Sequence, residues 1–183
     1  MKSFNVPQKS EVSSNNQAIF SQLEKGLGFV PNLYAYYAKN ETALGDYLAL
    51  QNRKSTLTKK EREVINLVVS QYNGCRYCQS AHTVLAGLNG FNENEILELR
   101  EGQASFDPKL HALAQFTLAT TANLGKVDEA TKELFFSAGY SEANLIDVVM
   151  NIGDKVISNY IHNLTGLEID FPLAPELKAA AIA

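Results

Sequence analysis

Signals that start and stop α-helices recur at short intervals along this chain, while strand signals are nearly absent. No run alternates apolar and polar residues for long, and no Asn-Gly pair is flanked by β-branched stretches. The pattern predicts an all-α fold. Ser13-Ser14 opens a first helix that ends near Gly26-Leu27-Gly28, Pro31 opens a short second one, and a third covers about 42 to 53. Thr58-Lys59-Lys60-Glu61 is a capping box ahead of the apolar run Val64-Ile65-Asn66-Leu67-Val68-Val69. Asn73-Gly74 stops that helix, and the next begins at Cys75 and runs to about 88, where Asn89-Gly90 ends it, so the two form a helical hairpin. Asn92 with Glu95, Asp107 before Pro108, Asp128 and Ser141 mark four further starts, the last opening a long helix over about 142 to 164. After Gly166, Leu167-Glu168-Ile169-Asp170-Phe171-Pro172 and the Ala-rich end read as an extended tail packed on the body or on a neighbour. With no repeat or linker, the expectation is a single domain over 1–183: N-terminal helices 13–53, a hairpin 58–88, C-terminal helices 92–164 and a tail 165–183.

A chain of 183 residues buries about 70% of the surface its unfolded form exposes, so its core requires no disulfide or metal staple. The two cysteines are free for chemistry. With 16 Lys+Arg against 20 Asp+Glu, a net charge of -4 and lysines spread along the chain, nothing points to nucleic acid or an anionic membrane as a partner. Residues 1–7 contain no apolar targeting core, and no later stretch approaches a membrane span, so the expected location is the cytoplasm. In that reducing compartment, two neighbouring cysteines suggest redox catalysis or metal binding more than a structural bridge.

Cys75-Arg76-Tyr77-Cys78 is a Cys-x-x-Cys pair, a spacing that random placement would give roughly once in ninety, and His82 follows four residues later. On a helix, positions 75, 78 and 82 share one stripe, placing two thiols and an imidazole on one face. The helix N-terminus favours a thiolate at Cys75, whereas the proximity of His82 favours Cys78. Because a nearby base outweighs a fractional charge that fades within a turn, Cys78 is assigned as the attacking thiol and Cys75 as the resolving one. Glu63 is the candidate partner for His82: folding the hairpin brings the two to similar heights, and Glu63 lies on a polar stripe with Asn66 and Ser70.

Glu63, eleven intervening residues, Cys75-x-x-Cys78, three more and His82 resemble the signature of the alkylhydroperoxidase D-like branch of the carboxymuconolactone decarboxylase family. Gly28-Phe29-Val30-Pro31-Asn32, Asn159-Tyr160-Ile161-His162-Asn163 and Asp170-Phe171-Pro172 are similar to its peroxidase-related members. The resemblance implies an all-helical domain assembling into trimers or hexamers. It also implies peroxide reduction without a cofactor, with Cys78 peroxidatic, Cys75 resolving, and Glu63 and His82 a proton relay. An external dithiol, lipoyl or thioredoxin-like, would reduce the disulfide. The best-studied members carry a second histidine where this chain has Tyr77, which bears on the efficiency of the relay; Tyr77 is a candidate substrate contact, able to donate to the departing oxygen.

Other readings stand beside this one. The cysteines could be a chance buried pair, or with His82 supply three of the four ligands a structural zinc requires. Glu63 sits in the charged cluster Lys59-Lys60-Glu61-Arg62-Glu63 and could face solvent; His111 and His162 read as ordinary helix residues. Tyr34, Tyr36 and Tyr37, like the apolar helix over 145–161, read as packing or interface, and several helices apolar on more than one side suggest a homo-oligomer. Lactone decarboxylation, which needs no cysteine, and non-catalytic redox sensing are the competing functions.

Overall fold

In the computed structural model, which describes residues 3–177, the described residues form nine α-helices and no strand. They are α1 (Ser14–Leu27), α2 (Asn32–Tyr37), α3 (Ala43–Gln51), α4 (Lys59–Tyr72), α5 (Arg76–Leu88), α6 (Glu93–Arg100), α7 (Pro108–Ala122), α8 (Glu129–Ser137) and α9 (Glu142–Thr165). The local punctuation explains the starts. Ser13, Thr58, Asn92, Asp107, Asp128 and Ser141 each accept a first-turn amide, satisfying N–H groups the helix itself leaves unpaired. The Thr58 box is closed reciprocally: Thr58 Oγ1 accepts from the Glu61 amide at 3.1 Å, and Glu61 Oε2 accepts from the Thr58 amide at 2.8 Å. Gly28 and Gly166 end α1 and α9 in the left-handed region.

Helix α4 is the axis of the molecule: its residues from Glu63 to Ser70 are all buried, and α5, α6, α7 and α9 pack around it. One apolar cluster joins α4 to α6–α9 and includes Phe135 stacked between Phe116 at 4.3 Å and Tyr140 at 4.6 Å. A second joins α1–α3 to Cys75, Tyr77, Cys78 and Leu167. The hairpin of α4 and α5 lies between the two clusters.

Helix α9, about 36 Å long, is polar on its buried face and apolar on its exposed one, the interface alternative rather than the packing one. Its buried face carries Asp147, Asn151, Asp154, Lys155, Ser158, Asn159 and His162 beside Val148 and Ile152, while Ile146, Val149, Met150, Ile157, Tyr160 and Leu164 are exposed. The polar seam it makes with α4 has matched partners: Arg62 Nε donates to Asn151 Oδ1 at 3.1 Å, and Asn151 Nδ2 donates to Asn66 Oδ1 at 2.8 Å. Buried polar atoms are costly unless paired, and here each helix supplies what the other lacks. After α9 the chain runs extended over the body, held where Arg76 donates to the Ala174 carbonyl and Arg100 to that of Pro175. Of the expected tail, 178–183 lie outside the described residues, as do Met1 and Lys2 of the N-terminal segment. Among the described residues, no helix is long and apolar enough to cross a membrane.

Candidate active site

The turn between α4 and α5 sets the two sulfurs apart in position. Asn73 caps α4, Gly74 takes a positive φ of 64°, and Cys75 leaves the turn with extended backbone as the N-cap of α5 rather than as its first helical residue. Cys75 Sγ accepts the Cys78 amide at 3.2 Å. Cys78, in the first turn proper, lines a cavity of about 780 Å³, whereas Cys75 is fully buried behind it and does not. Both thiols are free. A hydrogen bond from Cys75 is the largest influence on Cys78; against the cost of burial, it and the Lys155 ammonium bring the thiol down to about 6. Cys75 is pushed the other way, first by that same hydrogen bond and then by burial.

Glu63 is buried, not solvated, and accepts at both carboxylate oxygens: Asn66 Nδ2 reaches Oε1 at 3.0 Å and His82 Nδ1 reaches Oε2 at 2.8 Å. The chain Arg62–Asn151–Asn66 therefore ends on the carboxylate from one side while the imidazole meets it from the other. The other imidazole nitrogen does not meet a sulfur. His82 Nε2 faces Lys155 Nζ at 3.1 Å.

Lys155 is the residue the sequence reading passed over. It is 2% exposed, one residue from Asp154, whose carboxylate is 3.7 Å away, and it lines the same cavity as Cys78. Burial would lower its ammonium, but Asp154, Tyr34, Cys78 and Glu63 outweigh it and hold the group above its ordinary value. A charged ammonium can only donate. Nε2 is then an acceptor, and Nδ1 carries the hydrogen given to Glu63. With both ring nitrogens engaged, His82 does not offer the third ligand that a zinc reading of Cys75, Cys78 and His82 requires.

The remaining walls come from both halves of the molecule. Leu33, Phe29 and Phe171 form an apolar side, and Tyr34, whose hydroxyl donates to Gln51 Oε1 at 2.6 Å, a polar one. Tyr37 stacks on Tyr47 at 4.7 Å and Tyr36 packs edge-on against Phe4, so of the three tyrosines only Tyr34 lines the cavity. The Tyr77 ring lines it too, wedged against His162 at 5.2 Å and Phe171 at 5.6 Å. Its hydroxyl accepts the Leu33 amide at 3.3 Å, which ties α5 to the start of α2. His162 Nε2 pairs with the Leu167 carbonyl, and His111 Nδ1 accepts the Ala104 amide, so neither histidine joins the thiols.

The sequence model of the carboxymuconolactone decarboxylase family matches residues 37–119, which span the hairpin and both cysteines. Among solved structures, an alkylhydroperoxidase AhpD core, a peroxidase-related protein from Ralstonia eutropha JMP134, superposes with a TM-score of 0.83 at 22% identity, covering 91% of each chain. A peroxidase-related protein from Silicibacter sp. TM1040 gives 0.80 at 25% identity, covering 90% of this chain and 88% of its own. The debrominase Bmp8, as a cysteine-to-alanine variant in complex with 2,3,4-tribromopyrrole, gives 0.76 at 20% identity over 93% and 92% of the two chains. No curated protein sequence matches significantly.

Proposed function

We propose that this chain, whose residues 37–119 match the carboxymuconolactone decarboxylase family and whose all-α fold is alkylhydroperoxidase D-like, reduces hydroperoxides through its two thiols. One observation carries the reading. Cys78 opens on a cavity beside Lys155, with Cys75 behind it accepting its amide at 3.2 Å, and in these surroundings its thiol is brought down to about 6. At pH 7 such a group is about nine-tenths thiolate, the form that attacks. The Cys78 thiolate takes the terminal peroxide oxygen, the O–O bond breaks, and an alcohol or water departs, leaving a sulfenic acid. Cys75 condenses with it, releasing water and closing a disulfide. An external dithiol, lipoyl or thioredoxin-like, returns both sulfurs to the reduced state. Glu63 and His82 form a hydrogen-bonded pair beside the thiolate, and Tyr77 braces the wall that substrate would touch.

A cavity of about 780 Å³ is many times the size of hydrogen peroxide, which supports an organic hydroperoxide as substrate. The same apolar wall of Phe29, Leu33 and Phe171 suits a halogenated ring of the kind bound by Bmp8, so reductive dehalogenation by the same dithiol is the second reading. The exposed apolar face of α9 supports assembly as a homo-oligomer through that helix. The deciding experiment mixes reduced protein with hydrogen peroxide, an organic hydroperoxide and a bromopyrrole. It follows thiol loss and bromide release in wild type, Cys75→Ser, Cys78→Ser and His82→Ala. Fast thiol loss with the organic hydroperoxide that disappears in Cys78→Ser is expected. Peroxide consumption unchanged in Cys78→Ser overturns the reading, and turnover of a carboxylated lactone after loss of both cysteines would replace it with decarboxylation.

A further inference from the structure

The relay as read from the sequence ends on the thiol, but the imidazole stops one group short of it. His82 Nε2 is taken by Lys155 Nζ at 3.1 Å, and it is Lys155 that shares the cavity wall with Cys78 and with Ser158, one turn further along α9. Ser158 Oγ lies 4.0 Å from Cys78 Sγ and donates to the Lys155 carbonyl at 3.0 Å, which anchors that stretch of α9 against the sulfur. A buried lysine is rare because desolvating an ammonium is costly; one held on a cavity beside a reactive sulfur has a use for its charge or its proton.

Resting on the peroxide reading above, we propose that Lys155 is the general acid of the reaction, protonating the oxygen that leaves when Cys78 attacks, while His82 and Glu63 are positioning residues that aim its ammonium. The step balances. Cys78 thiolate and ROOH give Cys78–SOH and an alkoxide as the O–O pair of electrons leaves with RO, and the Lys155 ammonium supplies the proton that makes ROH, becoming a neutral amine. Cys75–SH and Cys78–SOH then give the disulfide and water. When the external dithiol has reduced that disulfide to two thiols, the Lys155 amine takes the Cys78 proton and restores the starting thiolate and ammonium.

The groups around Lys155 fit this cycle. Asp154 on its own helix, Glu63 from α4, Tyr34 from α2, and Cys78 and His82 from α5 all face it, and Tyr47 from α3 faces Asp154. The acids keep the amine charged between turnovers. The imidazole, fixed by Glu63 with its lone pair toward Nζ, orients one of the three N–H bonds and leaves two for the cavity.

The test compares two oxidants with different leaving groups in reduced full-length protein. Cumene hydroperoxide expels a strongly basic alkoxide that needs a proton, whereas peracetic acid expels acetate, which does not. General acid catalysis therefore speeds the first and not the second, and the ratio of the two rates reports it independently of how much thiolate or correctly folded site is present. In Lys155→Met that ratio is expected to fall at least about tenfold from the wild-type value. Lys155→Arg keeps the positive charge but holds its proton, so its ratio falls as well, which separates proton donation from charge alone. A ratio kept at the wild-type value in both variants overturns the assignment of Lys155. Wild-type protein inert to both oxidants overturns the peroxide reading and this inference together.

Discussion

Replacing Cys75 with alanine should change the acidity of a different residue, Cys78, and the size of the effect follows from the geometry. Two things are lost at once: the thiol hydrogen bond that is the largest influence holding Cys78 down, and the N-cap acceptor for the Cys78 amide at 3.2 Å. A hydrogen bond to a charged group contributes about 1.5–3 kcal/mol. At about 1.4 kcal/mol per pKa unit, removing it raises the Cys78 midpoint by roughly one to two units, from about 6 to roughly 7–8. The thiolate fraction at pH 7 then falls from about nine-tenths to between about one-half and one-tenth, and the rate of attack on a hydroperoxide falls with it. Above about pH 9 the thiolate is filled in both proteins and the difference closes. The sign is fixed: a thiol held low reacts well at neutral pH and loses its rate as pH falls through 6, so weakening the hold moves the whole profile to higher pH.

Serine at the same position is the control for packing and capping. Its hydroxyl can accept the Cys78 amide and donate to the thiolate, so Cys75→Ser should titrate between wild type and Cys75→Ala and recover the roughly 1 kcal/mol of stability that losing an N-cap costs. The assay is a pH titration of thiolate ultraviolet absorbance, in which each variant has a single sulfur to report, paired with alkylation rates by iodoacetamide. If alanine and serine variants both titrate at the wild-type midpoint, Cys75 is not what holds the thiolate, and the division of labour between the two sulfurs drawn here is wrong.

Three further outcomes can be measured. Phe135→Ala opens a cavity between the stacked rings of Phe116 and Tyr140 in the fully buried core and should cost about 3–5 kcal/mol in urea unfolding, without moving the Cys78 titration. Asp147, pulled down to about 2 chiefly by hydrogen bonds from Thr56 and by Arg53 against the cost of burial, stabilises the fold above about pH 4 and loses that contribution as pH falls toward 2. Asp147→Asn should therefore flatten the acid limb of the stability curve by about 1 kcal/mol, the solvent nearby reducing the full value of the shift. Ile157→Glu, on the exposed apolar face of α9, should lower the molecular mass seen by sedimentation, and an unchanged mass would place the interface elsewhere.

Most helices were legible because their punctuation is local: a Ser, Thr, Asn or Asp cap acts on amides two or three residues away, and six of the nine starts, from Ser13 to Ser141, could be read in this way without knowing what the helix packs on. The pairing of Glu63 with His82 was legible for a related reason, since a short hairpin fixes the heights of both. Lys155 was not, because its partner is 73 residues away across a contact that no spacing encodes. The orientation of α9 was open in the sequence for another reason. Its apolar residues read equally as core or interface, and they are outside. Yet Asp147, Asn151, Asp154, Ser158 and His162 recur at steps of three and four, which is as regular a helical stripe as any apolar one. On α4, Glu63, Asn66 and Ser70 form a second such stripe inside an otherwise buried helix. Neither stripe can be buried alone, since unpaired carboxylates and amides in a core cost more than the packing returns. Two of them in one chain have to meet, and the line where they meet is where this fold keeps its charged groups next to its thiols.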